Sequence, residues 1–260
     1  MPTYRIDKII ADVTPFSRKE VRALLRVGRV TAEGRPIRNP GERLDPEAVP
    51  IELDGRPLRF TAQVYYLLYK PAGLLSASRD SSRRTVVDLV EKATGRRGLF
   101  PVGRLDKDTT GLLLITNDGD FAHRVISPKS HVEKAYIARL DAPVPAGTAE
   151  RFAAGVTLAD GEVCAPARLE LLGEEGRLCR LILCEGKYHQ VKRMFGTVGC
   201  GVVTLHRERI GRLTLPDGLG EGDFLELDRE TAAKALCPKG GEPASCRGEK
   251  PVSMPDRPQI

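Results

Sequence analysis

An apolar stripe at helical spacing stands near the start of the chain. Its members lie three or four positions apart and would share one face of a helix: Ile6, Ile9, Ile10 and Val13. The charged residues Arg5, Asp7, Lys8 and Asp12 are expected to turn away from that face. The pattern therefore predicts a short amphipathic helix that buries its isoleucines.

A second helix is predicted directly afterwards, over residues 17–27. Ser17 followed three positions later by Glu20 is typical of a capping box, in which each side chain accepts a hydrogen bond from the other residue's backbone. Gly28 then suits the end of the helix. Beyond it, alternating residues around Glu33-Gly34 predict a hairpin of short strands.

The rest of the chain changes to a pattern of short apolar strands between glycine turns. Strands are predicted at 64–69, 99–102, 111–116, 134–140 and 178–184. We therefore expect an α+β protein with three parts. A small α/β domain occupies residues 1–60, a domain with a mainly antiparallel mixed sheet occupies 61–236, and a disordered Pro- and Gly-rich tail occupies 237–260.

Basic residues form a row on the second predicted helix. Arg18, Arg22 and Arg26 stand four positions apart and share one face, with Lys19 and Arg29 nearby. The whole chain carries 41 Lys and Arg against 35 Asp and Glu, a net charge of +6. A phosphate backbone would relieve the repulsion within the row, so RNA contact is predicted, and a solvated basic face stays open as the alternative.

Several classes of protein are disfavoured by what the sequence contains. The six cysteines and four histidines have no zinc-type spacing, and no glycine-rich phosphate loop occurs. No apolar run reaches the ~20 residues that a membrane helix needs. Charges at Arg5, Asp7 and Lys8 interrupt any signal peptide. We expect reduced thiols, no metal, no nucleotide cofactor and a cytoplasmic location.

One carboxylate stands out in a turn between glycines, Asp106. A calcium loop beginning there would place Asn117 where a bidentate Glu is required, so calcium is disfavoured. Asp106 and Asp108 would align only on an extended backbone, which makes them a poor glycosidase pair. A single carboxylate acting as a nucleophile is the simpler hypothesis.

Several strings together resemble the pseudouridine synthase family, in the branch that acts on bacterial ribosomal RNA. These strings are KPAG at 70–73, GRLDKDTTGLLLITNDG from 103, EKAYIARL at 133–140, EGKYHQVKRMF at 185–195 and LHRERIG at 205–211. The first unit, with YRIDK and SRKEVRALLRVGRV, resembles an S-four-like RNA-binding domain. The resemblance covers about residues 3–230.

The resemblance implies isomerisation of uridine to pseudouridine in RNA, without cofactor or metal. It assigns Asp106 as the nucleophile on a flipped-out nucleotide and Tyr136 as the ring against which the base packs. The attack is left open between sugar and base. A cation close to Asp106 would keep it ionised, and Lys192 matches that position, with adjacent Arg193 as the competitor.

Other basic residues are predicted to face RNA. These are Arg104, Lys187, His189, Arg193 and Arg207. Arg104 has two interpretations, a wedge in the substrate helix or a structural salt bridge. His189 is given no acid–base role, because nothing in the spacing pairs it with Asp106.

The strings SPKSHVEKAY and LHRERIG are most similar to the branch that modifies a specific uridine of 16S rRNA. The expected partner is therefore 16S rRNA or the assembling small subunit. A sister synthase for 23S rRNA and a non-catalytic assembly factor remain alternatives. A monomer is expected, because no exposed apolar stripe suggests a partner.

Overall fold

We describe the protein from a computed structural model, over residues 3–46, 48–58 and 60–237. The predicted tail, apart from Cys237, lies outside these residues. Within this part of the chain the five cysteines are free thiols, and no helix is long and apolar enough to cross a membrane.

The N-terminal unit consists of two helices and two small sheets. Its elements are β1 (Tyr4–Arg5), α1 (Ile6–Val13), α2 (Arg18–Arg26), β2 (Val30–Ala32), β3 (Arg35–Pro36), β4 (Arg43–Leu44), β5 (Ile51–Leu53) and β6 (Arg56–Leu58). Strand β1 pairs with β4, and the other four form a sheet in the order β3-β2-β5-β6. The buried side chains of α1 and α2 pack with those of this sheet in one apolar core.

The predicted start of α2 is confirmed. The Oγ of Ser17 accepts a hydrogen bond from the Glu20 amide at 3.3 Å, and the Glu20 carboxylate accepts one from the Ser17 amide at 2.6 Å. Gly28 follows the helix with φ of +75°. The predicted hairpin also forms, because Glu33 and Gly34 adopt positive φ in the two-residue turn between β2 and β3.

Asp7 of α1 is buried, which the sequence pattern did not predict. Its side chain is fully buried and accepts two hydrogen bonds from Arg5, at 3.0 and 2.9 Å, with Arg22 at 3.7 Å. The hydrogen bonds from Arg5 are the main reason that the pKa of Asp7 is lowered. The carboxylate can be buried because a guanidinium pairs with it.

The second unit is built on a nine-stranded sheet. Its elements are β7 (Tyr65–Lys70), α3 (Val86–Thr94), β8 (Phe100–Pro101), β9 (Thr110–Thr116), α4 (Gly119–Ile126), β10 (Lys134–Leu140), α5 (Thr148–Ala154), β11 (Val156–Thr157), β12 (Val163–Cys164), β13 (Arg168–Leu171), β14 (Leu178–Leu183), α6 (Gln190–Gly196), β15 (Val202–Ile210), β16 (Leu213–Thr214), β17 (Phe224–Leu227) and α7 (Arg229–Ala233). Short 3-10 turns occupy Pro128–Ser130 and Lys234–Leu236.

The sheet runs in the order β13-β14-β10-β15-β9-β7-β17, with β16 on β15 and β8 on β9. Every neighbouring pair is antiparallel except β9 and β15, which are parallel. Both faces are covered: Tyr66 and Leu68 of β7 pack into one apolar cluster, and Tyr65 and Leu67 into the other. The predicted α+β class and mainly antiparallel sheet are confirmed.

Strands β9 and β15 approach each other unusually closely at Gly111. This residue has φ of +111° and pairs with Arg207. A Cβ built on Gly111 would lie 2.3 Å from the Arg207 carbonyl oxygen and 2.6 Å from its amide nitrogen. Only glycine therefore fits here without moving one of the two strands.

Candidate active site

Asp106 lies in the loop that joins β8 to β9, and Ser76 holds this loop in place. The Ser76 hydroxyl donates to the Leu105 carbonyl at 2.8 Å and accepts from the Leu105 amide at 3.1 Å. The backbone next to Asp106 is therefore fixed from both its donor and its acceptor side, which positions the carboxylate.

Lys70 fastens the other side of the same loop. Its buried ammonium donates to the carbonyls of Pro71 at 2.9 Å, Lys107 at 3.3 Å and Thr109 at 2.9 Å. Burial lowers the pKa of Lys70 to about 8, although Asp108 and Asp106 oppose this shift. No role was predicted for Lys70 from its position in the KPAG string. A charged residue ending an otherwise apolar strand was the available signal.

We expect Lys70→Met to lower the free energy of unfolding by about 3 kcal/mol at pH 7. The variant loses three charge-assisted hydrogen bonds, each worth roughly 1.5 to 3 kcal/mol. Part of this loss is offset, because the variant no longer buries an ammonium. The lowering of the Lys70 pKa from 10.5 to about 8 corresponds to about 3 kcal/mol of destabilisation of the charged form. Urea unfolding measures the difference, and Lys92→Met on the exposed side of α3 is the matched control.

The same variant has a pH signature. Between pH 8 and 10.5 the unfolded chain binds the Lys70 proton more tightly than the folded protein. Wild-type stability therefore gains a rising contribution across this interval, which the Met variant lacks. The gap between the two proteins should widen with pH. A constant or narrowing gap would show that the buried ammonium is not disfavoured by folding.

Lys192 of α6 lies beside Asp106. Its Nζ is 3.4 Å from Asp106 Oδ2 and 2.7 Å from Asp108 Oδ1. Burial by itself lowers the pKa of Lys192, but the hydrogen bond to Asp108 and the charge of Asp106 outweigh it and raise that pKa. The pKa of Asp108 is lowered, chiefly by the same hydrogen bond. One ammonium thus lies between two carboxylates at the edge of the loop.

Arg193, the competing candidate, points elsewhere. Its guanidinium forms ion pairs with Asp160 and with Glu162, the latter at 2.8 Å, and donates to the Tyr188 carbonyl at 3.0 Å. These carboxylates lie in the turn between β11 and β12. Of the two adjacent basic residues, the one next to Asp106 is therefore Lys192.

His189 is closer to Asp106 than the sequence indicated. Its Nε2 lies 3.5 Å from Asp106 Oδ1, a contact that the spacing in the sequence did not indicate. A left-handed backbone at His189, with φ of +49°, places it at the start of α6. Its ring stacks on exposed Tyr188 with centroids 3.8 Å apart. This contact depends on the backbone turn at His189 and on the packing of α6 against the Asp106 loop. Spacing in the sequence reveals neither of them.

Tyr136 and Arg207 lie together behind the nucleophile candidate. Tyr136 is 7% exposed, and its hydroxyl is 3.5 Å from Nη1 of Arg207. Arg207 is 2% exposed and donates through Nε to the Leu112 carbonyl at 2.8 Å. The sequence placed Arg207 among exposed RNA-facing bases, and this is corrected because β15 is central in the sheet and turns the side chain inward.

A cleft of about 1100 Å³ connects these residues. Asp106, Tyr136, His189 and Arg207 line it, together with basic side chains at Arg83, Arg104, Lys107, Lys134 and Lys187. Arg104 is exposed and forms no ion pair with any residue that the structure describes, which argues against the salt-bridge interpretation. No group of three or more metal-ligating side chains occurs among the described residues.

Not every predicted RNA-facing base is free to bind phosphate. Lys187 pairs with Glu162 at 3.3 Å, and Arg29 donates to Asp54 at 2.7 Å. On α2, Arg18, Lys19 and Arg26 are exposed, and Arg22 is 54% exposed while lying near Asp7. The basic row on α2 therefore presents its cations to solvent, which leaves both predicted interpretations, RNA contact and a solvated face, open.

Comparison with known proteins assigns both units. The profile of the S4 domain matches residues 5–49, and that of RNA pseudouridylate synthase matches residues 64–197. The first unit is therefore an RNA-binding S4 domain, and the second, whose mixed sheet bears the cleft, is a pseudouridylate synthase domain. The chain belongs to the RNA pseudouridylate synthase family and is an enzyme of that family.

Individual relatives agree over nearly the whole chain. The uncharacterized RNA pseudouridine synthase YtzG of Bacillus subtilis is 40% identical and aligns with 87% of this chain and 95% of its own length. Ribosomal small subunit pseudouridine synthase A of Escherichia coli is 41% identical over 89% of this chain and 100% of its own. A crystal structure of a pseudouridylate synthase is 34% identical, with a TM-score of 0.61, covering 89% of this chain and 99% of that one.

Proposed function

We propose that this enzyme isomerises a specific uridine of 16S rRNA to pseudouridine, with Asp106 as the nucleophile. The observation that carries the proposal is the Asp106 carboxylate, fixed by its loop, 3.4 Å from Lys192 and open to a cleft beside Tyr136. The 16S target is supported by the 41% identity to the small subunit synthase of Escherichia coli.

The reaction balances within the RNA itself. The bond from N1 of uracil to C1′ of ribose breaks, and a bond from C5 to C1′ forms. C5 loses a proton and N1 gains one, so no redox partner is required. Asp106 forms a transient bond to the nucleotide and is released when the new bond forms. Attack at the ribose and attack at the base both satisfy this balance.

The neighbouring side chains have separate roles. Lys192 is a positioning residue that holds the Asp106 carboxylate through charge. The ring of Tyr136 supplies a packing surface for the flipped base, and its hydroxyl is available for proton transfer. Extruding the nucleotide costs about a few kcal/mol, which contacts in the cleft offset. We propose that exposed Arg104 at the cleft occupies the gap left in the RNA stack.

The basic row of α2 is proposed to contact phosphate. We expect the double variant Arg18→Gln with Arg26→Gln to bind RNA more weakly. The slope of log K against log salt concentration should become shallower by roughly 1.5, because each lost phosphate contact removes roughly 0.7 to 0.9. Arg22 is kept because it lies near buried Asp7. Filter binding from low to high salt measures the slope. Lys92→Gln with Arg139→Gln makes the same charge change at exposed positions outside the cleft. Equal slopes in both double variants would reject the row as a contact surface.

The decisive test of function is a product map. Purified enzyme is incubated with unmodified 16S and 23S transcripts and with a 16S ribonucleoprotein particle, and pseudouridine is located by carbodiimide labelling and primer extension. One new stop in 16S supports the proposal. A stop in 23S alone supports the sister synthase, and RNA binding without any stop supports an assembly factor. We further propose that the enzyme is a monomer, which light scattering of the purified protein tests, and that it is cytoplasmic, which cell fractionation tests.

A further inference from the structure

Arg207 has a donor that nothing in the described protein uses. Its Nε donates to the Leu112 carbonyl, and its Nη1 is 3.5 Å from the Tyr136 hydroxyl. Its Nη2 is buried and has no hydrogen-bond partner among the described residues. Arg207 also lines the cleft with Asp106 and Tyr136, so a small shift of its side chain would bring this donor to a molecule bound there.

The charge of Arg207 is also uncompensated. No described carboxylate lies within ion-pair distance of it, whereas Arg209 on the same strand pairs with Glu133 at 3.0 Å. Other cations are buried nearby. Burial, and to a smaller extent Arg207 itself, lowers the pKa of Lys134 to about 8, and the same two causes act on Lys70. A buried unpaired guanidinium is unfavourable until an acceptor or anion reaches it.

We propose that Arg207 is a catalytic residue whose Nη2 donates to a carbonyl oxygen of the flipped uracil and stabilises the negative charge on the detached base. This inference rests on the proposed function. When the N1–C1′ bond breaks, its electron pair stays with N1 and spreads to O2 and O4. The guanidinium keeps its protons throughout, because it cannot act as an acid in this range of pH. It offers charge and a hydrogen bond where negative charge develops.

The position of Arg207 suits this role better than a purely structural one. Its Nε holds the side chain to β9, which leads directly from the Asp106 loop. The close approach at Gly111 brings the two strands together at this residue. The nucleophile candidate, in the loop before β9, and the cation, on the adjacent strand β15, are thereby both held at one cleft.

The test compares Arg207→Met with Arg209→Met, a matched loss of a buried arginine on the same strand that does not line the cleft. Single-turnover rates are measured with saturating enzyme on RNA carrying uridine or 5-fluorouridine at the target. Fluorine stabilises the uracil anion, so its base departs with less help. Loss of the intact nucleoside from digested RNA reports bond cleavage, and filter binding reports affinity.

We expect Arg207→Met to lower the rate on uridine by about 10² to 10³-fold. Its RNA affinity should stay within about threefold, and its rate loss should be at least about fivefold smaller on 5-fluorouridine. Arg209→Met should keep the wild-type rate. An equal loss on both substrates, or a loss of binding alone, would overturn the inference.

Two further results keep the test decisive. If Arg207→Met does not fold, Arg207→Lys is measured instead, since it keeps the charge with fewer donors. It should lose about tenfold in rate on uridine and less on 5-fluorouridine. An unaltered rate in a folded variant rejects the role of Arg207. If the wild-type enzyme itself converts no uridine, it is the proposed function that fails, and the two failures are thereby distinguished.

Discussion

We expect Asp106→Asn to abolish pseudouridine formation, with a loss in single-turnover rate on the order of 10⁴ or more. Asparagine has nearly the same shape and keeps the loop, which is held through the backbone of Leu105 and not through the Asp106 side chain. It removes the negative charge and the nucleophilic oxygen. RNA affinity and the unfolding transition should therefore stay close to those of the wild type. Quantitative primer extension on the modified transcript measures the rate.

Asp108→Asn is the matched control for this prediction. Asp108 shares Lys192 with Asp106, but its side chain is 72% exposed and does not line the cleft. Asp108→Asn removes one negative charge, as Asp106→Asn does, and it removes a partner of the same Lys192 ammonium. We expect it to change the rate by about tenfold or less. If Asp106→Asn retained turnover comparable to Asp108→Asn, the assignment of the nucleophile would have to be abandoned.

Much of the fold could be predicted from the sequence because its signals are local. The capping box of Ser17 and Glu20 depends on residues three positions apart, and the hairpin at Glu33-Gly34 depends on two adjacent residues. The five strands predicted in the second unit lie within one residue of observed strands, because they are bounded by glycine and proline turns, whereas the long strand β15 was not predicted. Such features are decided by neighbours in the chain, so one sequence is enough to predict them.

The errors concern charged residues whose surroundings are set by distant elements. Asp7 is buried with the Arg5 guanidinium as its partner, although its position in the helical period places it off the apolar face. Arg207 is buried because its strand is central in the sheet, and His189 meets Asp106 through a left-handed turn. Charged residues are usually exposed unless a partner or a cleft accommodates them, and a single sequence does not show which partners the fold supplies.

The candidate site was predicted mainly through resemblance. Spacing alone singled out Asp106 and left several chemistries open, while the family motifs added Tyr136 and Lys192. The structure supplies what motifs lack, namely the direction of each side chain. It separates Lys192 from Arg193, since neighbouring residues of a helix point to different sides.

Gly111 lies five residues after Asp106 in the same sequence string, and its substitution has the second large expected effect. We expect Gly111→Ala to lower the free energy of unfolding of the catalytic unit by about 4 kcal/mol. A β-carbon 2.3 Å from the Arg207 carbonyl forces β9 and β15 apart, which adds roughly 1 to 3 kcal/mol of overpacking to backbone strain of similar size. Urea unfolding followed by circular dichroism measures the change.

Gly34→Ala isolates the effect of contact from that of strain. Gly34 has φ of +77°, and a Cβ there would meet nothing within 4 Å, so this variant should lose only about 1 kcal/mol. The difference between the variants measures the close approach of the two strands. Because that approach places Arg207 in the cleft, Gly111→Ala should also lower the rate by about tenfold or more while RNA binding persists. Equal losses of stability in both variants would mean that β9 and β15 can separate freely. Glycine would then be required in this motif only for its backbone conformation.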